Sequence, residues 1–225
     1  MIDDWPWYSN FRDVGDGNVV PRGRIYRGAV DCVADPILAH RIRRELRVRS
    51  ILDLRTREEV SESSGLLCTV DDVRHHHVPL FETIRAEWQR PLDTRGAAAR
   101  RYREMADDGA ETMLRIVDAL AEVDAYPVLI HCAAGRDRTG IVVAFLLALL
   151  DASHARIADD YSRSDEATFE DGGSAHTETM TALLADVTHT HGSVRGFLLA
   201  HGGTDRAIAS FVEAARGRGS RPAAQ

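Results

Sequence analysis

The chain alternates short β-prone runs with stretches in which apolar residues recur at helical spacing. Strands are predicted at residues 48–54, 74–80 and 127–130. Helices are predicted from the Asp35-Pro36 pair, where Asp caps and Pro occupies the first position, and over 92–106, 109–122, 141–150, 153–164, 177–187, 194–200 and 205–216. This order is typical of an α/β fold with a short, mainly parallel central sheet flanked by helices on both faces. Ligands of such sheets bind at the carboxyl ends of the strands.

Three further segments of the chain carry weaker patterns. Turn residues separate short β-prone runs within residues 1–30, which predicts a hairpin. The polar stretch 165–174 contains two consecutive glycines and is predicted to be a connection. We expect one domain over residues 1–216, followed by a frayed Gly-, Arg-, Pro- and Ala-rich tail at 217–225.

One motif joins the third predicted strand to the most apolar predicted helix. It reads His131-Cys132-Ala133-Ala134-Gly135-Arg136-Asp137-Arg138-Thr139-Gly140, which predicts strand, tight loop and helix. A cysteine opens the loop and an arginine closes it, so the sulfur and the guanidinium can face one concavity lined by successive backbone N–H groups. Such a concavity suits a tetrahedral oxyanion. The residues predicted to bind phosphate are Ala133, Ala134, Gly135, Arg136, Asp137 and Arg138.

The residue types of this motif define a possible reaction. A free thiol has a pKa of about 8.5, which a helix N-terminus and neighbouring cations lower, so Cys132 is the candidate nucleophile. Arg138 can hold two phosphoryl oxygens with its planar fork. Gly135 permits a sharp backbone turn, and Thr139 can offer its hydroxyl to the sulfur. The predicted reaction is therefore two displacements through a cysteinyl-phosphate.

The motif resembles the signature of the cysteine-dependent tyrosine phosphatases, in a bacterial branch typified by a secreted mycobacterial tyrosine and lipid phosphatase. Matching stretches extend this resemblance over nearly the whole chain: residues 10–14, 23–27, 53–55 and 160–164. Many relatives take their general acid from a Trp-Pro-Asp loop, which this sequence lacks, so the resemblance implies Asp137 as the acid. Glu82 is the alternative, because relatives carry an acid there. His131 and Thr139 are expected to support the loop.

The resemblance implies an enzyme that acts on phosphotyrosine in proteins, without a metal or other cofactor. Dual specificity and phosphoinositides remain further candidates, although Arg136 replaces the lysine usual in this branch. Two other classes of protein are alternatives. A phospho-binding module is disfavoured, because a protein that only binds phosphate need keep neither the nucleophile Cys132 nor the acid Asp137. A sulfurtransferase is disfavoured by an arginine six positions after the cysteine, followed by Thr139 and Gly140.

Several charged residues allow two interpretations each. Arg12 or Arg27 can add positive potential near the site or form structural ion pairs. Asp53 and Arg55, at the end of a predicted strand, can brace the loop or form a plain salt bridge. The arginines of helix 92–106 can attract an anionic substrate or cover a solvated face. Three consecutive histidines suggest a metal, but only His75 and His77 share a strand face, so no metal site is predicted.

Composition narrows the remaining choices. With 225 residues, a net charge of −7 and a pI near 5.8, the chain does not suit a general nucleic-acid binder. Three cysteines, Cys32, Cys68 and Cys132, give no disulfide framework, and a reducing compartment suits a catalytic thiolate. The acidic, aromatic start is unlike a signal peptide, and the longest apolar run is too short for a membrane span. A cytoplasmic location is expected, with export lacking a recognisable signal as the alternative.

Overall fold

A five-stranded sheet forms the centre of the computed structural model, which describes residues 5–62, 72–89, 95–165 and 176–218. The strands are β1 (Arg12–Asp13), β2 (Ile25–Gly28), β3 (Ser50–Asp53), β4 (Arg74–His77) and β5 (Val128–His131). Their order is β1-β2-β5-β3-β4, and all neighbours are parallel except β1 and β2. The predicted N-terminal hairpin and the mainly parallel sheet are therefore confirmed.

The strand register brings three chain segments together at one edge of the sheet. His131 at the end of β5 pairs with Gly28 of β2 on one side and with Asp53 of β3 on the other. Because these three parallel strands end level with one another, the loops that follow them start side by side. The motif loop after β5 occupies the middle of this edge.

Helices cover the sheet. They are α1 (Asp31–Ala34), α2 (Pro36–Arg44), α3 (Arg57–Glu62), α4 (Arg95–Asp108), α5 (Ala110–Ala119), α6 (Asp137–Leu149), α7 (His154–Ser162), α8 (Thr177–His191), α9 (Val194–Ala200) and α10 (Asp205–Ala215). Every predicted helix has a counterpart, and the Asp35 side chain caps α2 as expected by accepting from the N–H groups of Ile37 and Leu38. The short helices α1 and α3 were not predicted, because four or six residues display no apolar period. No helix within the described residues is both long enough and apolar enough to cross a membrane.

Two apolar clusters lie against the strands. The larger contains most of α6, together with alternate strand residues such as Leu52, Val128 and Ile130. The smaller joins Ile51 and Leu129 to residues of α1 and α2. Helix α6 has 11 of its 13 residues buried, which explains why its sequence is apolar around the whole helix rather than on one face.

Parts of four predictions fall outside the described residues. These are Cys68, the start of helix 92–106, nearly all of the 165–174 connection and most of the 217–225 tail.

A buried ion-pair network links the N-terminal hairpin to α7. Asp160 accepts from Arg27 Nη1 at 2.6 Å and from Arg12 Nε at 3.2 Å, and all three side chains are almost fully buried. Arg12 also donates to the Asp160 carbonyl at 2.7 Å and to the Ser164 hydroxyl at 2.9 Å. Both arginines therefore form structural ion pairs, the second of the two interpretations that their sequence positions allowed.

We expect Asp160→Asn to lower the free energy of unfolding by roughly 3–5 kcal/mol, because two guanidinium groups would remain buried without their counter-charge. Burial alone would raise the pKa of Asp160, but Arg12 and Arg27 outweigh it and hold that pKa below its ordinary value. The contribution is therefore complete above about pH 4 and is lost as the pH falls further. Urea unfolding of the wild type and of Asp160→Asn at several pH values measures this contribution.

As a control, Glu45→Gln in the exposed Arg41–Glu45 pair should change the free energy of unfolding by less than about 1 kcal/mol. Equal effects of the two variants would contradict the prediction.

Candidate active site

The motif loop runs from the end of β5 to the start of α6 and places Cys132 directly after the central strand. Cys132 is buried, with 2% of its surface exposed. Gly135 has a φ of +68°, and a Cβ at this position would come within 2.5 Å of the Gly28 carbonyl group. Glycine is therefore required both for the left-handed backbone and for the close approach to β2.

The outer side of the loop is held by hydrogen bonds to its carbonyl groups. The three donors are Val30 N–H to Ala133 O at 3.0 Å, Asn10 Nδ2 to Ala134 O at 3.1 Å and Arg27 Nη2 to Gly135 O at 2.8 Å. The C=O and N–H groups of a trans peptide point in opposite directions. Fixing these carbonyls on the outside therefore turns the N–H groups that follow toward the concave side. Together with the positive end of the α6 dipole, they form a cradle for an anion.

Arg138, in the first turn of α6, is anchored by Glu59 of α3. Its Nη1 and Nη2 donate to the two Glu59 carboxylate oxygens at 2.5 and 2.7 Å. Since a guanidinium carries five N–H bonds, this end-on pairing leaves the edge formed by Nε and Nη2 in a suitable orientation to grip a phosphoryl group. Burial would raise the pKa of Glu59, but the Arg138 contact lowers it, so the carboxylate stays ionised.

Glu59 is a functional residue that the sequence analysis missed. Thr56 and Glu59 form a capping box: Thr56 N–H donates to the Glu59 carboxylate at 2.7 Å, and Glu59 N–H donates to the Thr56 hydroxyl at 3.3 Å. The Thr-x-x-Glu spacing that precedes α3 was a readable signal for this helix start. It carried no indication that the same carboxylate would reach Arg138, which lies 79 positions away.

The two candidate general acids have different surroundings. Asp137 is the first residue of α6, its side chain is 35% exposed, and it accepts a hydrogen bond from the Tyr102 hydroxyl. Arg136 Nε lies 3.3 Å from its Oδ2 atom. Glu82 is 69% exposed and lies beside Arg57, with 3.5 Å between the nearest charged atoms. Asp137 is therefore held by groups of the motif loop and of α4, whereas Glu82 pairs with an exposed cation.

His131 lies directly before Cys132 as a buried, neutral imidazole. It is fully buried, and burial lowers its pKa to about 4, although Asp53 opposes this shift. Its Nδ1 atom lies 3.3 Å from the Cys132 carbonyl oxygen. Because the imidazole is uncharged near neutral pH, His131 adds no positive charge beside Cys132, whereas Arg138 interacts with Cys132 as a cation.

Asp53 joins a cluster that has the composition of a metal site. One ligand atom each from Asp53, His75 and His131 lies within 4.8 Å of the others. Arg55 Nη2 already donates to Asp53 Oδ2 at 2.7 Å, so a divalent cation there would lie against a guanidinium. The two histidine nitrogens are 3.7 and 3.8 Å from this oxygen, farther than the roughly 3.3 Å between ligands of a tetrahedral zinc ion. The cluster therefore fits a buried ion pair with two histidines better than it fits a metal.

Other residues considered in the sequence have structural partners. Arg101 donates to two backbone carbonyls, and Arg103 pairs with Asp107 and Asp186, so these two arginines of α4 bind groups of the protein itself. Cys32 is fully buried, which raises the pKa of its thiol. The buried Thr139 hydroxyl has no hydrogen-bond partner within the described residues, so its expected bond to the Cys132 sulfur is not formed in this structure.

The chain is similar to several known proteins. The model of the tyrosine phosphatase family matches residues 4–214. A tyrosine-protein phosphatase of Nostoc commune is 30% identical over 123 residues, which cover 53% of this chain but only 41% of that protein. The triple specificity protein phosphatase PtpB of Mycobacterium tuberculosis is 30% identical over 198 residues, covering 73% of this chain and 70% of that protein. Among solved structures, the core catalytic domain of the PP-IP phosphatase SIW14 of S. cerevisiae aligns over 80% of this chain and 88% of that one, with a TM-score of 0.48 and 17% identity. The chain belongs to the tyrosine phosphatase family, a class of enzymes that hydrolyse phosphoric monoesters.

We expect Glu59→Gln to weaken the binding of an oxyanion such as inorganic phosphate or vanadate by about tenfold. The neutral amide cannot anchor both terminal nitrogens of Arg138, and a charge-assisted hydrogen bond is worth about 1.5–3 kcal/mol. Competitive inhibition constants measure the effect. Glu58→Gln is the matched control, because Glu58 is the exposed neighbour in the same helix turn. Unchanged oxyanion binding in Glu59→Gln would show that Arg138 needs no anchor.

Proposed function

We propose that the protein hydrolyses phosphomonoesters, chiefly phosphotyrosine in proteins, through a cysteinyl-phosphate at Cys132. The observation that carries this proposal is the cradle itself: a buried cysteine at its base, N–H groups turned inward and an arginine anchored at its edge. These groups favour charge on the equatorial oxygens of a phosphoryl group, and that charge is what a transition state for phosphoryl transfer develops. We also propose that residues 1–216 form one catalytic domain.

The reaction has two displacements. In the first, the Cys132 thiolate attacks phosphorus, the S–P bond forms and the P–O bond to the leaving group breaks. Asp137 supplies the proton that the departing oxygen needs. In the second, Asp137 accepts a proton from water, the water oxygen attacks phosphorus and the S–P bond breaks. Inorganic phosphate leaves, and the thiolate and the protonated Asp137 are regenerated.

Several classes of phosphorylated substrate are candidates. The mycobacterial relative is named a triple specificity phosphatase, so phosphoserine and phosphothreonine peptides and phosphoinositides are further candidates for this chain. Arg136 is buried and contacts the Asp137 carboxylate, so part of its charge acts within the protein. We therefore place phosphoinositides below phosphotyrosine. Rates for a panel of these substrates, measured with a chelator present, rank them.

A phospho-binding module without turnover is the second candidate. It would need the cradle and Arg138 but no proton donor. A cytoplasmic location is part of the leading proposal, since a reducing environment keeps Cys132 as a thiol.

We expect Cys132→Ser to abolish turnover on a phosphotyrosine peptide while leaving binding measurable, because the hydroxyl is a far weaker nucleophile in an intact cradle. Arg138→Lys should reduce both turnover and binding, because an ammonium cannot make the two-point contact. Turnover with chelator present and peptide binding by calorimetry test both variants. Full activity in either one would refute the mechanism, and wild-type binding without turnover would favour the binding module.

We expect the loss of rate in Asp137→Asn to depend on the leaving group. For aryl phosphates with basic leaving groups the loss should be about 10²–10⁴-fold, the usual contribution of general acid catalysis. It should shrink for acidic leaving groups, which depart without a proton. The slope of log kcat/KM against leaving-group pKa reports this difference. Glu82→Gln is the control, and a leaving-group dependence seen in that variant instead would transfer the role to Glu82.

A further inference from the structure

Two tyrosines from helices outside the motif loop form a chain of hydroxyl groups that ends on Asp137. Tyr102 of α4 donates to Asp137 Oδ1, and the Tyr161 hydroxyl of α7 lies 2.6 Å from that of Tyr102. Their rings meet edge to face, with centroids 5.9 Å apart and planes at 83°. Both side chains are buried. The contact therefore joins two helices to the candidate acid.

The direction of the hydrogen bonds follows from the number of protons. Each phenol carries one proton. Since Tyr102 donates its proton to the carboxylate, Tyr161 must donate to Tyr102. Burial raises the pKa of both tyrosines, and the charge of Asp137 raises it further. Both phenols therefore stay protonated near neutral pH. Tyr161 thus donates to Tyr102, and Tyr102 donates to one carboxylate oxygen of Asp137.

The last residue of the motif makes room for this arrangement. A Cβ at Gly140 would lie 2.8 Å from the Tyr161 ring. Glycine at this position lets α7 bring Tyr161 against the first turns of α6. Gly140 is thus explained by the packing of a tyrosine rather than by a contact with phosphate.

We infer that Tyr102, backed by Tyr161, is a positioning residue for the general acid Asp137. The Tyr102 hydroxyl donates to Oδ1, whereas Oδ2 makes the longer contact to Arg136 Nε, at 3.3 Å, so we assign the transferable proton to Oδ2. That proton moves to the leaving oxygen as the P–O bond breaks, and Oδ2 receives a proton from water in the second step. The inference rests on the proposed function. It assigns a role to two residues that lie outside the motif loop.

The test is Tyr102→Phe, assayed with aryl phosphates of graded leaving-group pKa. We expect about a tenfold lower kcat/KM for basic leaving groups, a fraction of the full general-acid contribution, and little loss for acidic ones. Tyr161→Phe should act in the same direction but less strongly, because Tyr102 keeps its bond to Asp137. If Tyr102→Phe does not fold, Tyr161→Phe still tests the inference. Tyr126→Phe is the matched control, since it deletes a buried hydroxyl bonded to the Leu120 carbonyl at 2.9 Å.

The outcomes separate this inference from the proposed function. In an Asp137→Asn background, Tyr102→Phe should cause no further leaving-group-dependent loss, since it acts through the missing acid. An equal loss for all leaving groups in Tyr102→Phe would overturn the positioning role while leaving Asp137 as the acid. If Asp137→Asn itself shows no leaving-group dependence, the assignment of the acid fails first.

Discussion

The backbone of the motif loop can present its N–H groups to an anion only if its carbonyl groups are satisfied on the other side. A buried carbonyl without a partner costs about 1–3 kcal/mol, so an unsupported loop would tend to turn its peptides over. Val30, Asn10 and Arg27 prevent this by donating to three successive carbonyls. The cradle therefore depends on the N-terminal hairpin as much as on the motif.

This requirement accounts for buried charge far from the reacting atoms. Arg27 can serve the loop only as a buried cation, and a buried cation needs a counter-charge, which Asp160 of α7 supplies. The same carboxylate pairs with Arg12, whose Nη1 holds the Asn10 side chain at 2.6 Å. One carboxylate thereby fixes two of the three donors on the outer side of the loop. Arg12 and Arg27 are therefore structural, which decides between the two interpretations that their sequence positions allowed.

The functional groups of α6 are supported from two other sides. Arg138 is anchored by α3 through Glu59, and Asp137 is held by α4 through Tyr102. The candidate nucleophile, the candidate phosphate-binding arginine and the candidate acid thus lie within seven residues of sequence, yet each depends on a different element of the fold. Local sequence places the reacting groups together, and the surrounding helices set their orientation.

The sequence by itself determined what depends on neighbouring residues: the strand, loop and helix of the motif, the need for Gly135, the Asp35 cap and the apolar core helix α6. Periodicity and capping depend on residues that are close together in the chain, so they can be recognised from the sequence of this protein alone. The tertiary structure alone decided that Arg12 and Arg27 share Asp160, that Glu59 anchors Arg138 and that Tyr102 reaches Asp137. These partners lie between 35 and 148 positions apart. Side chains so distant meet only when the sheet register and helix packing bring them together, because the energy of each pair depends on a burial that no local pattern encodes.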